Sequence, residues 1–477
     1  SADTVTLDTA LTTSMSVDLA AGADKLTLAN ATNTGTLSGV ETTVGGTGTD
    51  TITFAAGVAN ASVDLAAGSD TLTLANSANS ATVSNVETIT GGSLADTITL
   101  GAAVSNASID LGTGNDVLTL GNAGNTATVT GVETITGGTG ADIITLGAAL
   151  TTAMSIDLGA GADKLSLANV ANAGTVKNIE QLIGSSGADT ITLGSVAQNA
   201  SIDLAGGNDT LTFGAFNNIA TVSNVETVTG GTGADTITLG SPLTTSTSID
   251  LGAGSDQLTL GGGGNTGTVK NVETVIGGSG ADVVTIGTAL VNGSVDLAGG
   301  SDTLQLGNLT NRVSVTNTET VFGGTGNDTV VLTGSNAALV VGGAGMNFIT
   351  GNTGADQFVL DQNSAGNTST ILNFSAAKGD KIALDTAGNG TLSGNAYNLG
   401  GTALIDGTDL KAVADAASRL AAVESNGGNG GFVYQQDTGE LYYSTNGVFA
   451  GGGTLIGVVD SGSNVPWIYN SNAFVQV

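Results

Sequence analysis

The chain has 477 residues, of which 76 are Gly, 2 are Pro and none is Cys or His. Its 41 acidic and 9 basic residues give a formal net charge of −32, which makes it a poor partner for nucleic acid because phosphate contacts require Lys and Arg. Without Cys and His there are no disulfides and no thiolate or imidazole ligands for zinc. No run reaches the ~18 apolar residues of a membrane helix.

From the first residue to residue 333, a unit of 46 or 47 residues repeats about seven times. Each unit holds four short alternating segments, such as TITL, SIDL, QLTL and TVKNVETV, and this alternation predicts strands. A fixed period indicates a solenoid, and two similar loops per unit suggest two coils of about 23 residues each. The sequence therefore predicts an all-β parallel β-roll or β-helix with Ile, Val and Leu inside and Thr, Ser and Lys outside.

Four columns of acidic residues recur in register with this unit. The leading aspartates end glycine-rich loops such as GGTGAD: Asp3, Asp50, Asp96, Asp142, Asp189, Asp235, Asp282 and Asp328. The following aspartates end shorter loops such as AAGSD: Asp24, Asp70, Asp116, Asp163, Asp209, Asp256 and Asp302. The strand-end aspartates lie about six residues before them: Asp18, Asp64, Asp110, Asp157, Asp203, Asp250 and Asp296. The repeat glutamates are Glu41, Glu87, Glu133, Glu180, Glu226, Glu273 and Glu319.

Coils stacked about 4.8 Å apart would bring like carboxylates together. If the fifteen loops from Asp3 to Asp328 line one edge, each adjacent pair would cost about 3–4 kcal/mol at an effective dielectric near 20. A divalent cation in each of about fourteen gaps would remove this cost, and Ca²⁺ accepts six to eight oxygen ligands at flexible angles. The sequence therefore predicts several bound Ca²⁺ ions, whereas Mg²⁺ fits less well because it retains its waters.

GGTGADTIT resembles the haemolysin-type, or RTX, calcium-binding nonapeptide GGxGxDxUx. The tandem GGAGMNFITGNTGADQF at residues 342–358 strengthens the resemblance, although Asn347 stands where an Asp is expected. In that family Ca²⁺ lies between successive turns, held by the Asp and by turn carbonyls. The resemblance therefore implies that the leading aspartates, the following aspartates and Asp356 are calcium ligands, with the strand-end aspartates as further candidates. It also implies type I secretion to the outside of a bacterial cell.

Each column has an alternative structural role. The loop aspartates could cap turns through backbone N–H groups, and the strand-end aspartates could be solvated strand residues. For the repeat glutamates, a hydrogen bond to a neighbouring loop or plain exposure is favoured over metal binding. A further column is expected to form a stacked-amide ladder: Asn30, Asn76, Asn122 and Asn169.

The C-terminal part differs in composition from the repeats. We expect nonapeptide turns at residues 334–360 and a β-rich cap at residues 361–477 that closes the end of the roll and carries the secretion signal implied by the resemblance. One helix is predicted at residues 408–425, followed by a hairpin in FVYQQDTGELYY.

No enzyme activity is expected, because the acids recur identically in every unit whereas an active site is singular. The sequence favours a secreted structural protein that self-assembles into a lattice or filament, resembling bacterial S-layer proteins, with cell-surface polysaccharide as a possible further partner. The alternative is the stalk of a type I-secreted adhesin. Outward Thr columns also resemble those of ice-binding adhesins, but Lys25, Lys164 and Gln257 interrupt them. Because SADTVTL at Ser1 matches the end of GGTGADTITL, further residues are expected upstream.

Overall fold

The computed structural model describes residues 1–361, 368–385, 410–413, 431–435, 438–444, 454–459 and 474–476. The chain divides into two compact units, Ser1–Ile237 and Thr238–Val477. Both are built from short parallel strands joined by tight loops, which confirms the predicted all-β solenoid. Within the described ranges the one helical element is a 3-10 turn at Ala376–Lys378, and no helix there could span a membrane.

In the first unit the chain alternates strand by strand between two sheets. The odd sheet contains β1 (Thr4–Thr6), β3 (Lys25–Thr27), β5 (Thr42–Val44), β7 (Ala61–Asp64), β9 (Ser80–Ser84), β11 (Thr97–Leu100), β13 (Val117–Thr119), β15 (Thr134–Thr136), β17 (Ser155–Asp157), β19 (Ala173–Lys177), β21 (Thr190–Leu193), β23 (Thr210–Thr212) and β25 (Thr227–Gly231). The even sheet contains β2 (Ser16–Asp18), β4 (Thr34–Ser38), β6 (Thr51–Phe54), β8 (Thr71–Thr73), β10 (Thr88–Gly92), β12 (Ala107–Gly112), β14 (Thr126–Thr130), β16 (Ile143–Leu146), β18 (Lys164–Ser166), β20 (Gln181–Ser185), β22 (Gln198–Ala205) and β24 (Ile219–Ser223). Strand β26 (Thr236–Leu239) contains the division between the units.

The second unit continues the same alternation. Its odd sheet contains β27 (Ser248–Gly252), β29 (Thr266–Lys270), β31 (Val283–Ile286), β33 (Thr303–Gln305), β35 (Thr320–Phe322), β37 (Leu339–Val341), β39 (Gln357–Asp361), β41 (Lys381–Asp385) and β46 (Phe474–Gln476). Its even sheet contains β28 (Gln257–Thr259), β30 (Thr274–Ile276), β32 (Val291–Asp296), β34 (Arg312–Thr316), β36 (Thr329–Leu332), β38 (Phe348–Thr350), β40 (Ser369–Leu372) and β45 (Thr454–Val459). The remaining strands are β42 (Leu410–Val413), β43 (Gly431–Gln435) and β44 (Glu440–Ser444).

The core of the first unit is a narrow layer of aliphatic side chains between the two sheets. Each strand is paired in parallel with the strand two places later, so residues of one kind stack on one another. Ile52, Leu72 and Ile89 are fully buried and pair in consecutive coils of the even sheet. The alternation of Thr with Ile or Leu therefore places the hydroxyl-bearing residues on the outer face, as the sequence predicts.

The number of strands per repeat differs from the prediction. Between Asp50 and Asp96 there are five strands, β6 to β10, because the last predicted segment is two strands. Asn85 has a φ of 52° and forms a corner between β9 and β10 with Val86 and Glu87. One repeat is therefore two and a half coils, and the prediction of two coils of about 23 residues is wrong.

The half coil has a direct consequence for the loops. The loops of Asp50 and Asp70 lead into the even strands β6 and β8, whereas those of Asp96 and Asp116 lead into the odd strands β11 and β13. Loops leading into even and odd strands define opposite margins of the two-sheet stack, here called the even edge and the odd edge. Within the first unit, successive repeats thus alternate between edges, and the prediction that all the Asp loops share one edge is wrong.

The C-terminal part contains one confirmed and one corrected element. Strands β43 and β44 pair antiparallel, which confirms the predicted hairpin. Leu410–Val413, inside the predicted helix, is a strand paired in parallel with β43, so long-range pairing overrides the helical pattern there. The rest of residues 408–425 lies outside the described residues.

Candidate metal centre

Acidic side chains line each edge in an ordered ladder across adjacent coils. On the even edge, the backbone N–H of Asp50 donates to Oδ1 of Asp70 at 2.7 Å, and the N–H of Asp70 donates to Oε2 of Glu87 at 2.7 Å. The ladder begins at Asn33, whose N–H and Nδ2 both donate to Oδ1 of Asp50, at 2.9 and 2.8 Å. Three carboxylates in successive coils are thus joined by backbone hydrogen bonds and preceded by one neutral amide.

We call this set of Asn, leading Asp, following Asp and Glu an acid ladder. Four further complete ladders are Asn79–Asp96–Asp116–Glu133, Asn125–Asp142–Asp163–Glu180, Asn172–Asp189–Asp209–Glu226 and Asn265–Asp282–Asp302–Glu319. Asp3, Asp24 and Glu41 form the same contacts without the amide. Consecutive ladders of the first unit lie on alternate edges because the repeat ends on a half coil.

The following aspartates are buried but only half satisfied. Asp70 is 1% exposed, and its Oδ2 has no hydrogen-bond partner, although its Oδ1 accepts the N–H of Asp50. The same buried, unpartnered oxygen occurs in the equivalent residues Asp24, Asp116, Asp163, Asp209 and Asp302. A buried carboxylate oxygen without a partner is costly, so each of these positions is a candidate ligand for a cation.

The leading aspartates have more partners. In addition to the Asn contacts on Oδ1, Oδ2 accepts a backbone N–H four residues earlier at 3.1–3.3 Å in Asp50, Asp96, Asp189 and Asp282. Oδ2 of Asp142 and Asp328 has no hydrogen-bond partner. Asp3 is exposed, and Asp235 accepts both the N–H and the Nδ2 of Asn218.

Burial raises the pKa of the following aspartates. For Asp70 burial is the largest cause, the N–H of Asp50 opposes it, and the carboxylates of Asp50 and Glu87 raise the pKa further. The same causes raise the pKa of Asp163 to about 6. The pKa values of Asp116, Asp209 and Asp302 are also raised. These carboxylates therefore carry their charge at a cost in the protein without a cation.

A glycine two residues before each following Asp brings backbone oxygen close to the carboxylate. A Cβ on Gly68 would lie 2.5 Å from the carbonyl oxygen of Gly48 in the previous coil and 2.4 Å from Oδ1 of Asp70. At Gly161 the same distances, to Gly140 and Asp163, are 2.5 and 2.7 Å. Carboxylate and carbonyl oxygens, the ligands that Ca²⁺ prefers, therefore converge beside the same glycine.

The strand-end aspartates have a structural role in the turn. Oδ1 of Asp64 accepts the N–H of Ala66 at 3.0 Å and the Nδ2 of Asn85 in the next coil at 2.7 Å. The turn contact, at 2.9–3.1 Å, recurs in every member of the column: Asp18, Asp110, Asp157, Asp203, Asp250 and Asp296. These contacts account for Oδ1 without a metal, and a role as calcium ligands stays a prediction.

Of the two structural roles expected for the repeat glutamates, the hydrogen bond is confirmed, since Oε2 of all seven accepts the N–H of a following Asp in the neighbouring loop at 2.7–2.8 Å. The predicted amide ladder is wrong for the asparagines of the column that begins at Asn30, which are exposed and lie on alternate edges. The buried asparagines within the repeats are instead Asn33, Asn79, Asn125, Asn172, Asn218, Asn265 and Asn311. Their signal in the sequence is an Asn always 17 residues before a leading Asp.

These residues fit a hard, oxygen-liganded cation. Among the described residues no three Asp, Glu, His or Cys side chains converge as a complete metal site. A cation would therefore take one or two carboxylate oxygens and complete its shell with loop carbonyls and water, which suits Ca²⁺. In Asp356, as in Asp50, both carboxylate oxygens accept backbone N–H groups: its Oδ1 accepts the N–H of Ala338 and its Oδ2 that of Asn352.

Comparison with known proteins adds little. No family model and no curated protein matches the chain. One solved structure that it resembles is a hyperactive, Ca²⁺-dependent, β-helical antifreeze protein from an Antarctic bacterium, at 18% identity over 74% of this chain and 92% of that one. The TM-score of this match is 0.18.

Proposed function

We propose that the chain is a secreted, calcium-stabilised structural protein of the bacterial cell surface that self-assembles into an S-layer lattice or a filament. The observation that carries the calcium claim is the buried, unpartnered oxygen of the following Asp, repeated in ladder after ladder. A single such oxygen would be a local defect. Its recurrence at one position of every complete ladder indicates a ligand role.

The energetics of the ladder support a cation. Two carboxylates in adjacent coils, about 4.8 Å apart, repel by about 3–4 kcal/mol at an effective dielectric near 20. Each ladder contains two such adjacent pairs, leading Asp with following Asp and following Asp with Glu. Hydrogen bonds from backbone N–H groups offset part of this cost but leave Oδ2 of the following Asp unsatisfied. A bound Ca²⁺ would supply the missing partner and the opposite charge.

This arrangement would couple folding to the calcium concentration. A cation that binds the folded ladder and not the unfolded chain stabilises the fold by mass action. At low intracellular calcium the ladder repulsion disfavours folding, which suits passage through a secretion channel. At the higher concentration outside the cell the same residues would drive the coils together.

The structural role rests on the repetitive surface. In the first unit the same strands, loops and ladders recur on both sheets, so a contact made by one repeat is available to the next. Recurrent surfaces favour extended self-association over a single binding or catalytic site, and we propose no enzyme activity. Cell-surface polysaccharide is a further proposed partner.

The outer faces favour a second candidate, an adhesin stalk. In the even sheet Thr51, Thr71 and Thr88 pair in consecutive coils, and so do Thr53, Thr73 and Thr90, which gives two aligned Thr columns. The next strand replaces them by Ser108 and Asp110. Aligned hydroxyl columns suit adhesion to a regular surface, including ice, but Thr is also a good exposed strand residue.

Two experiments test these proposals. Circular dichroism and thermal melting should show a β-rich, cooperatively melting chain in millimolar Ca²⁺ and an unfolded or strongly destabilised chain in chelator. Identical melting in both conditions would reject the calcium claim.

Electron microscopy of the Ca²⁺-loaded chain should show sheets or filaments, and dispersed monomers would reject the lattice in favour of the stalk.

A further inference from the structure

We infer that the following Asp, rather than the Asp of the longer glycine-rich loop, is the side-chain ligand of the cation, and that each following Asp holds one ion. This inference rests on the proposed calcium role and deepens it. It reduces the expected number of ions from about fourteen, one in each gap between loops, to about seven, one for each following Asp.

In four of the five complete ladders both carboxylate oxygens of the leading Asp accept hydrogen bonds from the protein, and in the fifth Asp142 has an unpartnered Oδ2. Oδ1 of Asp50 receives two hydrogen bonds from Asn33, and its Oδ2 receives one from the N–H of Gly46 at 3.3 Å. The Asn amide is itself fixed, since its Nδ2 also donates to the carbonyl oxygens of Ala29 and Ala31 at 3.0 and 2.8 Å. The Asn thus stabilises the negative charge of the leading Asp with a neutral group.

The following Asp has no such amide. Asp70 lies between two other carboxylates, Asp50 in the preceding coil and Glu87 in the next, so the negative potential in the ladder is largest there. Its Oδ2 is the one buried carboxylate oxygen that lacks a hydrogen-bond partner in all five complete ladders. Position, burial and the missing partner therefore select the same atom.

The charge of the ladder agrees with one ion. Three carboxylates carry −3, so one divalent cation leaves −1 and two would leave +1. On each edge, the coil that follows a repeat glutamate has no acidic residue in line with the ladder, and the next ladder begins with a neutral Asn. After Glu87, for example, the next coil has Val104, whose N–H donates to Asn125 at the start of the following ladder. Adjacent ladders are therefore electrostatically separate, and one ion serves one ladder.

The chemistry of the position favours Ca²⁺ over smaller cations. The carbonyl oxygen of Gly48 and Oδ1 of Asp70, the partner of Oδ2 in the same carboxylate, both lie beside Gly68, where a side chain would have no room. This mixed carboxylate and carbonyl set, with no nitrogen or sulfur, suits a hard cation with an irregular shell. Mg²⁺ would require a near-octahedral arrangement that a loop made of backbone oxygens does not impose.

The test is a count of ions on the full chain, by equilibrium dialysis against Ca²⁺ followed by elemental analysis. The wild-type chain should bind about seven ions, one for each following Asp. A count near fourteen would overturn the inference while leaving the proposed calcium role intact, and a count of zero would overturn both. This measurement needs no variant and so cannot be lost to misfolding.

Isosteric variants then locate the ligand. Asp70→Asn and Asp116→Asn should each remove one ion, lower the melting temperature in Ca²⁺ and raise it in chelator, because each deletes a ligand and a repelling charge together. Asp50→Asn and Asp96→Asn should keep the full count, as should the control Asp8→Asn, whose exposed side chain lies outside the four acidic columns. Loss of an ion from the Asp50 or Asp96 variant, with none lost from Asp70→Asn, would overturn the inference.

Discussion

A single glycine position decides whether neighbouring coils can approach at the ladder. A Cβ on Gly68 would meet two fixed atoms, the carbonyl oxygen of Gly48 at 2.5 Å and Oδ1 of Asp70 at 2.4 Å. Oδ1 of Asp70 is held by the N–H of Asp50, and the carbonyl oxygen of Gly48 belongs to the backbone. We expect Gly68→Ala to destabilise the Ca²⁺-loaded protein by about 1–3 kcal/mol, the range for overpacked sites, in denaturant or thermal unfolding.

The matched control is Gly206→Ala in an equivalent short loop. A Cβ there would meet no atom within 4 Å, so its effect should stay within about 0.5 kcal/mol. Equal effects of the two variants would contradict the steric account of the loop glycine.

The buried Asn is the second residue on which the ladder depends. Nδ2 of Asn125 donates to Oδ1 of Asp142 and to the carbonyl oxygens of Gly121 and Ala123, and its Oδ1 accepts the N–H of Val104. Asn125→Asp would remove these donors and add a fourth carboxylate beside Asp142. We expect a loss of more than about 2 kcal/mol in unfolding measurements, since a buried charge loses its hydrogen-bond donor.

Asn122→Asp is the control, because Asn122 is exposed in the same loop. Its effect should stay within about 0.5 kcal/mol, and comparable losses for both variants would indicate a nonspecific charge effect.

Individual residues show where sequence reasoning succeeded. The inward Ile and Leu, the registered acids and the glutamate hydrogen bonds follow from alternation and period, which are local properties. The role of Asn33 could not be deduced in the same way, because its partner Asp50 lies 17 residues away and faces it only after the coil length is known. The coil length does not follow from the alternation, because Asn85 to Glu87 form a corner inside a segment with the pattern of one strand. A residue that tolerates positive φ in that segment was the available signal.

The acid ladder as an element should respond to pH in opposite ways with and without calcium. Burial raises the folded-state pKa of Asp70 and Asp116, and that of Asp163 to about 6, above the ordinary value near 4. A carboxyl with a raised folded pKa binds its proton more tightly in the folded state, so its protonation favours folding. That stability is complete below the ordinary pKa and is lost as the pH rises through the folded value.

We therefore expect the melting temperature in chelator to rise as the pH is lowered from 7 to 5. In saturating Ca²⁺ it should fall over the same range, because protons compete with the cation for the carboxylates. Melting curves in the two conditions check this, and a fall in both would contradict the assigned shifts.

The ladder element ends differently near the C-terminus, where a lysine stands beside the carboxylates. Nζ of Lys378 donates to the carbonyl oxygen of Asn352 at 3.2 Å, and its charge lowers the pKa of Asp356 and Asp380 against the larger effect of burial. Asp380 accepts the N–H groups of Asp356 and Ser375. This pair is thus satisfied by protein groups alone, in contrast to the following aspartates of the ladders.

We expect the coil of Asp356 and Asp380 to keep its hydrogen-exchange protection in chelator when the ladders have lost theirs. Lys378→Met should reduce that protection by about 0.5–1 kcal/mol, a modest value because the lysine is exposed. The control is Lys381→Met, which removes the same charge three residues later in the chain, also from an exposed side chain. Equal losses for both variants would show that net charge, rather than the contact with Asn352, is responsible.

At the scale of the whole molecule, the half-coil repeat makes the two sheets of the first unit chemically equivalent. In the even sheet, β6 has the sequence TITF and pairs with β4. In the odd sheet, the equivalent strand of the next repeat, β11, has the sequence TITL and pairs with β9. Removing residues 50–95 would therefore place β11 against β4 with matching partners. The fold should be retained, but every later strand of this unit would move to the opposite sheet. Removing residues 50–141 deletes five coils and returns each later strand to its own sheet.

These deletions separate folding from assembly. Both variants should melt cooperatively in Ca²⁺, with melting temperatures close to that of the full chain, because stability in a solenoid is a sum over neighbouring coils. Assembly could use outer sheet faces that lie before and after the deleted segment. In that case the first deletion moves the later faces to the opposite sheet, whereas the second leaves each face on its own sheet. Electron microscopy should therefore show ordered assemblies for the second deletion and none for the first. Failure of the first deletion to fold would contradict the equivalence of the sheets, and ordered assembly of both would show that contacts do not depend on which sheet faces outward.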